Sequence, residues 1–350
     1  MSVTTTSLER VLTTLGHREP DRVPLFLLAT LHGAKEMGLS IREYFSSARN
    51  VIEGQFRLRA RYGHDCYSSF FYAAIEMEAW GCETRFFDDG PPNSGPPIVS
   101  RPGQIPGLLP PRVRECLRLR EVLDAISGLS ERAAGEVPVI GVVMSPYSAP
   151  VMQLGFERYL DWQIEAPEAI EHLWRINEEF CVEWANAQLQ AGATAICYFD
   201  PLASPTITTP RVYRGTGCRL ASRCIARIAG PTATHLASGR CLPVIDDLAQ
   251  TGTAAIGVSA IEDLSEVKRA CAGRLTVIGN LNGIEMRRWT PAEAEAAVKE
   301  AIAKAASGGG FILSDNHGEI PWQVSDDTLM AIAEAVRRWG EYPLRGRDDG

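Results

Sequence analysis

The sequence lacks the features that would mark it as a binder of nucleic acid, a membrane protein or a disulfide-stapled secreted domain. Positive charge is in deficit. Lys and Arg total 35 against 43 Asp and Glu, for a net charge of -8 and a pI near 5.4. Nucleic acid and anionic lipid surfaces both require a positive field, so neither is an expected partner. No uninterrupted apolar stretch approaches the length of a membrane span. Nine cysteines are scattered with no CxxC pair, and their number is odd, which predicts reduced thiols in a cytoplasm. Met1 to Glu9 has no basic segment followed by an apolar core, so no secretory signal is expected. No internal repeat or low-complexity tract is evident.

What is present is an ordinary globular composition, 45% hydrophobic and 22% charged over 350 residues, enough to bury a large core. Thr6 with Glu9 predicts a capping box for a helix from Ser7 to about His17. Eight short apolar runs then alternate with helical stretches. They are Val23–Leu28, Cys66–Tyr72, Val139–Met144, Thr194–Phe199, Thr232–Leu236, Ala254–Val258, Leu275–Ile278 and Gly310–Leu313. Amphipathic helices include Pro167–Leu189, Leu242–Gln250 and Pro291–Ala306, the last opened by a capping box at Thr290 with proline in its first turn. This beat predicts an α/β fold, a single (β/α)8 TIM barrel occupying residues 1–350 as one domain. Residues 85–115, rich in Pro and Gly, read as an excursion after the second strand.

In such a barrel, whatever follows a strand lies on one face, where the chemistry sits. That rule collects polar residues distant in sequence. His235 and His317 end two strands; two neutral imidazoles there can bind zinc, and Cys241, six residues on, can add a thiolate. Otherwise His235 hydrogen-bonds a neighbouring loop and Cys241 is a buried apolar residue. Asp200, ending its strand before Pro201, is a general base, a metal ligand, a substrate acceptor or simply a helix cap. Glu76 and Glu78 diverge on a helix, so at most one faces the site. Asn280, between glycines, either approaches a ligand or makes a turn. Tyr72 and Tyr147 either stack on a flat ligand or pack. The loop "SDNHGEIP", 314–321, puts Asp315, Asn316 and His317 together.

Several segments together resemble the uroporphyrinogen decarboxylase superfamily. They are Arg18–Pro24, Glu78-Ala79-Trp80-Gly81-Cys82, Ser145-Pro146-Tyr147-Ser148 leading to Gly155-Phe156-Glu157, Gly192 to Asp200, His235, Gly279-Asn280-Leu281-Asn282, and Gly310 to Pro321. The resemblance spans residues 8 to 340 and is greatest for the branch of zinc- and corrinoid-linked methyltransferases. In the decarboxylases an arginine- and glutamine-rich segment after the first strand holds the porphyrinogen's acidic side chains. Here Leu28 to Ala34 contains no arginine. The methyltransferases carry His-x-Cys after the fifth strand and a Cys after the eighth as zinc ligands. This chain has His235, then Ala237 in place of Cys, with Ser238 or Cys241 near that space, and His317 at the last position.

The resemblance therefore implies a corrinoid-dependent methyltransferase acting on a small, possibly methoxylated compound. His235, Cys241 and His317 would hold zinc. Asp200, His317 and Glu78 would be catalytic, and Tyr72, Tyr147, Asn280 and Asn316 would bind substrate. The corrinoid would be supplied by a separate partner protein, since the barrel consumes the chain. A homodimer is left open. The alternatives are a metal-independent decarboxylase of a small acid or porphyrinogen, and a non-catalytic barrel subunit.

Overall fold

The Thr6 side chain accepts from Glu9 N–H and the Glu9 carboxylate accepts from Thr6 N–H, so the expected capping box starts helix α1, Ser7–Leu15. In the computed structural model, which describes residues 5–344, this helix lies under the N-terminal ends of a curled sheet. The strands are β1 (Tyr67–Ser68), β4 (Val139–Met144), β5 (Ala195–Phe199), β6 (Thr232–His235), β7 (Ala255–Gly257), β8 (Thr276–Leu281) and β9 (Phe311–Asp315). All seven pair in parallel in the order β1-β4-β5-β6-β7-β8-β9. Helices join them on the outside, as parallel pairing requires. The Pro- and Gly-rich excursion contains a small antiparallel pair, β2 (Thr84–Arg85) and β3 (Asn93–Ser94), and two 3-10 turns.

Of the eight expected strands, the second shortens to two residues and the first forms no ladder. Leu25 makes a single parallel bridge to Leu313. Around it Phe26 N–H donates to Leu313 O, Leu313 N–H to Pro24 O, and Asp65 N–H to Leu25 O. The physical reason is local. Pro24 has no N–H to give, and the N–H groups of Leu25 and Leu28 go to the carboxylates of Asp65 and Asp315.

The two faces of the sheet differ. Ile196 and Tyr198 of β5 are fully buried against the outer helices, packed with Phe180, Trp184 and Leu129. Ala195, Cys197 and Phe199, which alternate with them and face inward, remain partly accessible. The inner face borders a cavity of about 110 Å³ that runs from Leu8, Val11, Leu12 and Leu15 of α1 to Phe199, His235 and Gly318 at the other end.

Candidate active site

Asp200 follows β5 directly and is completely buried. Its Oδ1 accepts from the hydroxyls of Ser145 and Ser148, both at 2.6 Å. These serines come from the turn after β4, and Ser148 Oγ also accepts Leu202 N–H. The second oxygen, Oδ2, has no partner. Burial pushes this carboxyl up to about 6, against the pull of the two serine hydroxyls. No cation neutralises it, which favours a poised acid over a structural anchor.

His235 ends β6. Its ring stacks on Phe199, with centroids 5.5 Å apart. On the β7 side it rests against Gly257, where a Cβ would lie 2.4 Å from its Cδ2. Ala237 N–H donates to Nδ1 at 3.0 Å, so the neutral ring carries its proton on Nε2. That Nε2–H is buried and unpartnered, a state that costs about 1–3 kcal/mol until an acceptor arrives. Burial pushes the imidazole down to about 4, with Asp315 opposing and His317 reinforcing the shift.

His317 is half-buried beside it. Asn316 directs its amide nitrogen to His317 Nδ1 at 2.6 Å and to Leu281 O at 3.0 Å, and its oxygen accepts from Ala260 N–H. His317 therefore also presents an Nε2–H, and desolvation lowers its pKa despite nearby Asp315. Asp315 holds the loop, accepting from Leu28 N–H at 2.9 Å and His317 N–H at 3.1 Å. The mouth thus offers two neutral imidazole donors; the cation-free Asp200 carboxyl does not border the cavity and lies on the side of Tyr147, Tyr198 and Tyr213.

Other residues expected at the site lie elsewhere. Cys241 is packed in the outer core with Val244, Ile245 and Leu248, where burial raises its thiol well above the ordinary value; the six-residue turn carries it past the mouth. Ser238 uses its carbonyl to accept from Ser259 Oγ. Asn280 donates to Ser259 O and Glu262 O and faces the outer groove near Trp289, pinning a loop. Tyr147 packs on Tyr159 and Trp174 in a satellite core. Tyr72 donates to Glu78 at 2.7 Å, and Glu78 also meets Thr84 and Arg118, in a peripheral pocket with Arg42 and Phe86.

Two acids outside the expected catalytic set are desolvated by burial. Glu76, not Glu78, is the buried one; it accepts Met144 N–H at the end of β4, and burial pushes it up to about 8. Glu319 accepts from Thr30 Oγ and Leu31 N–H and is likewise pushed up to about 8 by burial. Spacing provides no signal for either. Both depend on which backbone N–H groups the fold leaves free.

The uroporphyrinogen decarboxylase (URO-D) family model matches residues 6–339. The chain belongs to that family. A methylcobamide:CoM methyltransferase from Methanosarcina barkeri is 27% identical over 243 residues, covering 67% of this chain and 70% of the relative. A uroporphyrinogen decarboxylase from Idiomarina loihiensis is 24% identical over 354 residues, covering 95% and 96%. The solved structure of a methyltransferase from Methanosarcina mazei superposes with a TM-score of 0.86, at 21% identity, over 96% of this chain and 99% of that one. This URO-D family chain thus has relatives of both chemistries.

Zinc, implied by the methyltransferase resemblance, does not fit the side chains at this mouth. A zinc-binding imidazole offers a lone pair, whereas both rings here have Nδ1 occupied by a donor and Nε2 protonated. Cys241 is in the outer core. Among the described residues no three His, Cys, Asp or Glu side chains group to hold a metal ion.

Proposed function

We propose that this URO-D family chain is a methyltransferase, a closed (β/α)8 barrel in which 23–28 stands as the eighth stave. It would pass a methyl group between a small uncharged methylated or methoxylated compound and a corrinoid carried by a separate protein. The observation that carries the reading is the pairing of two neutral Nε2–H donors, on His235 and His317, with a cavity lined by no charged side chain. A polycarboxylate would find no counter-ion there, and Leu28 to Ala34 adds no arginine.

The chemistry assigned to the residues follows from their donors. As a methyl carbon leaves an ether oxygen, the bonding pair stays on oxygen. His235 Nε2–H and His317 Nε2–H stabilise that charge by hydrogen bonds in a dry setting, and a proton from solvent completes the hydroxyl as the product leaves. The corrinoid, when docked, supplies the nucleophilic cobalt that accepts the methyl group. Exposed apolar residues on loops leaving the C-terminal ends of strands, Ile207, Ile261 and Ile284, together with Phe87 and Leu109 on the excursion, suit a docked partner. No helix among the described residues is long and apolar enough to cross a membrane.

The test combines the purified chain, a purified corrinoid protein and a panel of methoxylated donors, reading the cobalt absorption spectrum. Chain-dependent methylation that persists in chelator, and falls at least ~10²-fold in His317→Gln, is expected. CO2 release from an acid substrate with no methylation by any donor would replace this reading with the decarboxylase one, which the relative matching 95% of the chain favours.

A further inference from the structure

The inner rows of a (β/α)8 barrel are ordinarily filled by bulky branched side chains. Here the parallel register aligns Cys197 with Ala233 and Ala233 with Ala255, which forms a row of small side chains across β5, β6 and β7. The next row toward the mouth is Phe199, His235, Gly257 and Ile278. Below that second row the cavity of about 110 Å³ is walled by Phe26, Leu28, Ile140, Val142 and Ile312, with no lysine, arginine, aspartate or glutamate on its surface. A dry apolar cavity of ~150 Å³ accepts benzene; this one, smaller at about 110 Å³, has room for no more than a single small ring or a short alkyl chain.

A row of small residues alone would be a packing defect. His235 is a second, independent observation. It lines the same cavity, is 5% exposed, and its Nε2–H has no partner. Phe199 on one side and Gly257 on the other hold the ring in place. A ligand whose apolar body fills the row of Cys197, Ala233 and Ala255 brings a heteroatom up to the level of that donor.

We propose that the barrel lumen is the binding site for the apolar body of the substrate, an uncharged aryl or short alkyl group whose ether or hydroxyl oxygen accepts from His235 Nε2–H. This names the substrate class and rests on the methyl-transfer reading for its catalytic meaning. Binding itself requires neither turnover nor corrinoid.

Two probes separate the parts, fluorobenzene and 4-fluoroanisole, titrated by fluorine NMR. Both are expected to saturate the native chain, with the ether binding several-fold tighter. Ala255→Leu and, separately, Ala233→Leu fill the row and weaken both probes at least tenfold while retaining a native unfolding transition. His235→Phe keeps fluorobenzene binding and abolishes the ether's advantage. The proposal is overturned if fluorobenzene does not saturate the native chain, if folded filled variants bind it unchanged, or if the ether's advantage survives His235→Phe. Native crystals under xenon guard against filled variants that do not fold. Density between Ala233, Ala255 and His235 supports the site, and none overturns it. Bound probes with no methyl transfer would sink the proposed function alone, whereas methyl transfer without lumen binding would sink only this inference.

Discussion

Two buried aspartates stand at opposite ends of the sheet and have opposite surroundings. Asp65, at the N-terminal end, accepts from Arg10, Arg22, Ser7 Oγ and Leu25 N–H, and both of its oxygens are used. Asp200, at the C-terminal end, has two serine hydroxyls on one oxygen and nothing on the other. Both are inaccessible to solvent. A buried charge that is paired and saturated fastens elements together. One left without a cation is held ready for something else, because the fold gains nothing from keeping it there.

The largest effect separating them is expected in stability. Asp65→Ala strands two arginines and frees α1 from the 23–28 segment, costing about 3–5 kcal/mol, measured by urea unfolding. Asp200→Asn does the reverse. The folded carboxyl sits at about 6, above ~3.9 in the unfolded chain. The folded state therefore holds a proton that the unfolded state releases, and stability falls as pH rises from about 4 to about 6. Asparagine keeps both serine hydrogen bonds and removes that fall. Relative to the native chain the variant gains up to ~3 kcal/mol across this window and no more above it. Unfolding midpoints at a series of pH values check the sign.

A smaller change sharpens the contrast at the mouth. Gly257→Ala places a Cβ 2.4 Å from His235 Cδ2, so the ring must shift and turnover falls roughly 10- to 100-fold. Its signature is a drop in kcat in a chain that still unfolds cooperatively, with an overpacking cost of ~1–3 kcal/mol. The smallest effect is expected for Glu78→Gln in the peripheral pocket. Its contact with Arg118 is long, at 3.5 Å, and partly exposed, so stability changes by less than ~1 kcal/mol. Turnover stays native; a large loss would return Glu78 to the catalytic set.

Much of this was readable in the chain. Val139–Met144 is a strand as expected, and β5 through β9 fall on their apolar runs. Both capping boxes, at Thr6 and Thr290, form. Asp200, His235 and His317 each end a strand or follow it within two residues, as the apolar runs lead one to expect. Cys241, Asn280, Tyr147 and Tyr72 were misplaced for the complementary reason. Several residues of loop separate Cys241 and Tyr147 from their strands or turn them outward. Asn280 lies within the strand but its amide is claimed by two carbonyls outside the mouth.

The sequence by itself determined the periodicities, the parallel α/β arrangement, the shortage of positive charge and the small residues at 197, 233, 255 and 257, because these rest on residue type and spacing along one element. The tertiary structure alone decided three further things. It chose Glu76 over Glu78, assigned the proton to Nε2 of both imidazoles through Ala237 and Asn316, and left Asp200 Oδ2 and the lumen without partners. Each of these depends on which groups from distant segments meet, and hydrogen-bond partnership and empty space are properties of the packed chain rather than of any residue in it.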